Sequence, residues 1–235
     1  MSERGAGLVI SVHVPKTAGT RFGSILKARH GSRVAFYYGK DSPLTHPLAR
    51  RAPGDFDAGM IEALEADGIT ILHGHVRVTS LVKAVPDPSR YWVWLREPIE
   101  QTISHYHFLK KATDNEGYLA RTIRDNDLSL EAFAAHDKVR SIQTRILSPF
   151  AVADLGFVGV TELFAPMLPL LGLSDRGRRA NTNPEKPLAD QDVRRALAPL
   201  LTEDIALYSE AMERAVRRLG LRKTSGLAHL LPWRP

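Results

Sequence analysis

Three polar groups stand where apolar runs end: Pro15-Lys16-Thr17-Ala18-Gly19-Thr20 after Leu8–Val14, His73-Gly74-His75 after Ile69–Leu72, and Arg96-Glu97-Pro98 after Tyr91–Leu95. The first suits an anion. Phe22, Ile25 and Leu26 recur at helical spacing behind Gly19-Thr20, so the stretch reads as strand, tight loop and helix. The free N–H groups of the first helical turn then point into the loop, where Lys16 and two threonine hydroxyls can join them around a phosphate. Pro15 sets the exit from the strand, and Gly19 is expected to adopt a conformation barred to other residues. The order differs from a Walker A loop, in which the lysine follows the second glycine; here Lys16 precedes Gly19. An ordinary strand-to-helix turn with its lysine in water is the competing reading.

The histidines and Arg96 carry the other chemistry. An imidazole with a reference pKa near 6.5 can accept a proton near neutral pH, which suits His75 or His73 to general-base work. A histidine at a strand end is as readily structural, and His13 reads as a residue that packs or fixes the loop. Arg96 offers a fork of donors to a phosphate, and Ser104, about two helical turns on, can add a hydroxyl if Pro98 opens the helix. A salt bridge for Arg96 and a plain surface serine are the bland alternatives.

These residues must be positioned by a chain of 235 residues, 43% hydrophobic and 25% charged, without cysteine and with a formal charge of +6. One domain spanning residues 1–235 is expected, with the main ligand-binding core over 8–111 and a mainly helical closing region over 112–221. Absence of cysteine excludes disulfides, thiolate metal sites and a cysteine nucleophile. The nine histidines include a His-x-His but no HExxH, so no metal is expected. The positive charge favours an anionic partner; without zinc-finger spacing or an aromatic RNA-binding signature, nucleic acid is not expected. No apolar run approaches a membrane span and Met1–Gly7 lacks a secretory segment, so the expectation is a cytoplasmic protein without an integral membrane anchor.

Strands are predicted at 8–14, 34–38, 69–72, 91–95 and 157–160, with helices after 19, around 56–66, from Pro98, after Ser129, at 141–147, towards Leu171 from Thr161, and at 202–219. Residues 40–55 read as a surface loop and 114–127 as a loop or lid over the site. The connection 172–187, with Arg176, Arg178 and Arg179, is either a solvated basic surface or a ligand contact. Strands alternating with helices predict a mostly parallel sheet covered on both sides, a three-layer α/β/α fold. In such sheets the carboxyl ends of strands surround the ligand crevice, so Lys16, His75 and Arg96 should converge there.

The combination resembles the PAPS-dependent sulfotransferases, in particular the carbohydrate branch that includes the heparan sulfate 2-O-sulfotransferases. His13–Thr20 resembles their 5'-phosphosulfate loop, Tyr91–Phe108 with Arg96 and Ser104 their 3'-phosphate element, and His73-Gly74-His75-Val76 the segment carrying their catalytic base. Residues 143–147, 158–162 and 181–186 are further, softer matches. Glu97 stands where that family usually has aspartate. The resemblance implies a P-loop-like 5'-phosphosulfate loop, PAPS as sulfonate donor with PAP as product, and a hydroxyl of a saccharide or glycoconjugate as acceptor. It implies His75 as general base, with Lys16 and His73 beside it in the catalytic set. Pro15, Lys16, Thr17, Ala18, Gly19, Thr20, Arg21, Arg96, Ser104 and Lys186 would hold the cofactor, and Arg77 and Arg145 would meet the acceptor. A catalytically silent nucleotide- or polyanion-binding protein and a P-loop nucleotide phosphotransferase are the alternatives.

Overall fold

In the computed structural model the described residues are 7–112, 117–175 and 189–221. Lys186, Arg176, Arg178, Arg179 and residues 181–183 lie outside them. The β-branched and aromatic runs form five short strands, β1 (Val9–Val12), β2 (Val34–Tyr37), β3 (Ile71–Gly74), β4 (Tyr91–Leu95) and β5 (Phe157–Val160). They build one sheet in the order β2-β3-β1-β4-β5, with every pairing parallel. The central strands are buried on both faces, and this is why they read as apolar runs and not as alternating ones.

Ten helices are described: α1 (Gly19–His30), α2 (Ala58–Ala66), α3 (Val78–Leu81), α4 (Pro98–Lys110), α5 (Tyr118–Asp125), α6 (Leu130–Ala135), α7 (Ile142–Leu147), α8 (Phe164–Met167), α9 (Gln191–Leu197) and α10 (Thr202–Arg218). They flank the sheet to give the three-layer α/β/α arrangement. Because all strands are parallel, every strand delivers its following residues to the same edge. β1 and β4 are neighbours, yet the chain leaves β1 for β2 on one flank and β4 for β5 on the other. That divergence makes the carboxyl ends of β1 and β4 the switch point at which open α/β sheets generally bind ligands.

Three local expectations differ from the structure. The stretch expected to be a loop or lid at 114–127 contains α5, which buries Ala120 and Ile123 against Tyr106, Leu109, Phe133 and Val139. Its charged outer face, with Arg121, Arg124 and Asp125, hid a one-sided helix. The single helix expected from Thr161 to Leu171 is broken into a 3₁₀ turn, α8 and a second 3₁₀ turn; Pro166 and Pro169 each remove a backbone donor there. Finally α9, capped by the Asp190 carboxylate accepting from the Val193 N–H at 2.8 Å, went unassigned because Leu197 is its one fully buried apolar residue.

Candidate functional site

The loop between β1 and α1 is built from its own backbone. Lys16 and Ala18 both take left-handed conformations, with φ of 64° and 62°, which for residues bearing a Cβ costs about 1 kcal/mol each. Thr17 is buried and its hydroxyl donates to the Val14 carbonyl at 2.9 Å. The expectation of two threonine hydroxyls around a ligand is therefore corrected: Thr17 shapes the loop, and exposed Thr20 keeps its place at the helix start. Gly19 is also corrected. It opens α1 without a left-handed φ, and glycine is needed because a Cβ there would lie 1.8 Å from the His13 ring. The Phe22 N–H donates to the Ala18 carbonyl, so the N–H groups of Gly19, Thr20 and Arg21 precede the first turn's bonds and face the loop.

Arg96, just past β4, reaches this loop: its Nη1 donates to the Lys16 carbonyl at 3.2 Å. From α4, Gln101 Nε2 donates to the Pro15 carbonyl at 2.9 Å, and the Phe108 ring lies under Lys16 Nζ at 4.3 Å. Gln101 and Phe108 are two turns apart, so half-buried Ser104 between them shares the face of α4 turned to the loop. Next to it His105 is buried against Phe133, and burial together with the Lys16 charge pushes its pKa down to about 4.

The backbone of Arg96 is clamped by Gln143, which the sequence offered only as the first residue of the softer match 143–147, with no role. Gln143 accepts from the Arg96 N–H at 3.0 Å and donates to the Arg96 carbonyl at 2.9 Å. Gln143 is itself fixed by Asp204, whose carboxylate accepts from the Gln143 N–H at 3.1 Å, the Thr144 N–H at 2.8 Å and the Thr144 hydroxyl at 2.7 Å. Asp204 thus caps α7 from α10. It is 1% exposed, and it sits on the inward stripe with Tyr208, Ala211 and Ala215, where a carboxylate is the signal that could have revealed it. Asp204→Ala leaves three buried or half-buried donors without this acceptor, and a loss of about 3 kcal/mol, with a fall in Tm of about 9 °C, is expected in a thermal melt. An unchanged Tm would remove this cap from the account.

Glu97 caps α4, its carboxylate accepting from the Glu100 N–H at 2.8 Å. Arg194 of α9 approaches Glu97 at 3.4 Å and Glu100 at 2.9 Å. Burial raises the Glu97 pKa, against the pull of the Glu100 N–H and Arg194. The longer side chain at this position therefore serves the helix terminus and α9.

The histidines gather on the other side of β1. Parallel register pairs Ser11 with His73, so His13 and His75, each two residues further, emerge on the same face. His73 is 1% exposed, and both ring nitrogens are engaged: Nε2–H donates to the Gly19 carbonyl at 3.1 Å and Nδ1 faces the Ser11 hydroxyl at 2.9 Å. Burial pushes its pKa down to about 4. No ring nitrogen is left for a substrate, and this corrects its expected place among the catalytic groups: it ties β3 to α1. Buried His13 stacks on His73 at 5.5 Å, and burial, then the neighbouring His75, His73 and Lys16, push its pKa down to about 3. His75 is exposed, with the His13 ring 4.6 Å away and the Tyr38 ring 5.0 Å away edge-on. Partial desolvation lowers its pKa. Gly74 makes this placement possible, since a Cβ there would meet the Tyr37 carbonyl at 1.9 Å; the His75 N–H donates to that carbonyl at 2.8 Å.

Two of the expected ligand residues lie elsewhere. The Arg21 guanidinium pairs with Asp175 and lies 4.8 Å from the Phe164 ring centre, so its side chain is committed away from the loop. Arg145 is exposed and donates to the Lys138 carbonyl at 2.7 Å; two residues from Gln143, it projects from roughly the opposite side of α7. Arg77 is exposed at the position before α3, two residues after His75 at the same sheet edge. The structure therefore brings together Pro15, Lys16, Gly19, Arg96 and Ser104, with His75 across β1, and separates Arg21 and Arg145 from them.

The chain matches no family model and no curated protein. Among the described residues no group of three or more histidine or carboxylate side chains could hold a metal ion. No described helix is long and apolar enough to cross a membrane.

Proposed function

We propose that this chain transfers a sulfonate group from PAPS to a hydroxyl of a carbohydrate-type acceptor, with His75 as general base and a cytoplasmic site of action. The observation that carries the reading is the bond from Arg96 to the Lys16 carbonyl, which joins the two elements suited to phosphates at the point where β1 and β4 diverge. The residues fit such a ligand. Lys16, Arg96, Ser104 and the first N–H groups of α1 are all donors, as a phosphate requires. In this reading the loop is a P-loop-like 5'-phosphosulfate loop, with Arg96 and Ser104 at the 3'-phosphate.

PAPS supplies a sulfonate whose bond to the 5'-phosphate oxygen breaks as the acceptor oxygen bonds to sulfur, the electron pair passing to that phosphate. His75 takes the acceptor's hydroxyl proton. Its lowered pKa keeps it neutral, and hence a competent base, at neutral pH. Lys16 and the N–H groups of Gly19 and Thr20 offset charge developing on the phosphate side. His75 follows β3 and Ser104 follows β4, on opposite flanks of β1, an arrangement that supports a transferring end apart from the 3'-phosphate end.

Calorimetric titration with PAP tests the reading. Binding is expected, with affinity reduced by about tenfold or more in Arg96→Met, the loss of a charge-assisted contact. Folded protein without PAP affinity overturns the proposal; magnesium-dependent ATP turnover would point to phosphoryl transfer instead, and PAP binding with no transfer to any hydroxyl compound to a silent binding protein.

A further inference from the structure

A base that takes a proton needs its second ring nitrogen held, because the imidazolium carries an N–H on both sides. His75 is exposed, and the groups packed around it are the rings of His13 and Tyr38, with His73 behind His13. His13 has the complementary property. It is 8% exposed, its Nδ1 is buried and has no hydrogen-bond partner among the described residues, and its ring is immobilised between His73 and the Gly19 backbone. An acceptor nitrogen fixed in a rigid wall thus stands one ring away from an exposed, rotatable imidazole.

Building on the proposed transfer reaction, we infer that His13 is the positioning residue of His75: the His13 Nδ1 lone pair accepts the N–H of His75, holding one tautomer so that its other nitrogen faces the acceptor hydroxyl. The acceptor's proton goes to that outward nitrogen, and none is passed to His13. His13 can fill this role as a neutral imidazole, the charge state its buried site favours, with its proton on Nε2. The wall also joins the base to the phosphate side, since the same ring rests against Gly19, the first residue of α1. The three-histidine arrangement then divides into a strut, His73; an orienting acceptor, His13; and a base, His75.

Nitrogen-15 histidine NMR on the full chain, without acceptor or donor, tests this independently of sulfonate transfer. His75 is expected as a single tautomer, and its pKa is expected to fall by about one unit in His13→Leu, with mixed tautomers, because the imidazolium loses a hydrogen bond. His13→Asn, whose amide oxygen sits where Nδ1 was, should restore both properties. A His75 pKa and tautomer unmoved in His13→Leu, or an Asn variant that behaves like Leu, overturns the inference. If the Leu variant does not fold, the wild type still decides: a His13 Nδ1 resonance at the position of a non-hydrogen-bonded nitrogen at every pH overturns it, and one shifted by hydrogen bonding supports it. In transfer assays His13→Leu should lower kcat and leave PAP affinity unchanged. Should the NMR coupling hold while no acceptor is ever sulfonated, the functional reading fails and the His13–His75 pairing stands.

Discussion

His75→Ala is expected to lower acceptor-dependent sulfonate transfer by about 10²–10⁴-fold while PAP binds as in the wild type. The separation follows from geometry. His75 lies on the β3 flank of β1, and the donors suited to phosphate lie in the loop and on the β4 flank, so removal of the imidazole leaves the anion contacts intact. Its exposure makes the replacement structurally mild, in contrast to the buried His73. The pH profile has a defined sign. His75 has a lowered pKa, so kcat should be flat at neutral pH and above and should fall only below pH 6.5, as the imidazole protonates. The check is a paired measurement of transfer rate and PAP affinity; a variant with undiminished turnover excludes His75 as the base, and one that loses PAP affinity as well makes it a binding residue.

Acid is expected to unfold the protein steeply. His13, His73 and His105 are all buried, with pKa values pushed down to about 3, about 4 and about 4. Unfolded, they titrate near 6.5, so below that pH the unfolded chain binds protons that the folded chain refuses. Their depressed folded values mean that the stability they permit is complete above pH 6.5 and is lost as pH falls from 6.5 towards 4. The slope is about 4 kcal/mol per pH unit for the three together, or on the order of 5 kcal/mol by pH 5, a large share of a typical domain's stability. Glu97 and Asp204, whose pKa values burial raises, act with the opposite sign and offset part of this. Calorimetric melts at pH 5 and pH 7.5 should differ in Tm by about 15 °C. His105→Phe should flatten the dependence by about a third, since it removes one of the three. Equal melting temperatures at the two pH values would mean that these rings are hydrated or charged in the folded protein.

The α/β alternation was legible because parallel strands buried on both faces leave long apolar runs, and because the residue after each run is forced to polar chemistry at the sheet edge. Lys16, His75 and Arg96 could be picked out on that ground alone. α9 was not legible, since a helix that buries one apolar residue has too weak a stripe to rise above its charged face, and α5, although one-sided, is only eight residues long in a polar stretch. The roles of the glycines and histidines were open for a different reason: they depend on contacts between segments. Gly19 reads as a turn glycine until the His13 ring is found against it, while the left-handed positions fall on Lys16 and Ala18.

By itself, then, the sequence determined the first strand-loop-helix, the parallel sheet and the order of the polar strand ends, because periodicity and residue type are local properties. Only the tertiary structure decided which of those groups meet. It assigned Thr17 inward, Arg21 to Asp175 and Arg145 to the far side of its helix, and it placed Gln143 and Asp204 behind Arg96. It also divided two histidines of one short motif between a strut and an exposed imidazole, because the first lies inside a buried strand and the second just beyond its end. Such pairings join residues as many as 154 positions apart along the chain, and no local pattern encodes which partner a buried polar group will find.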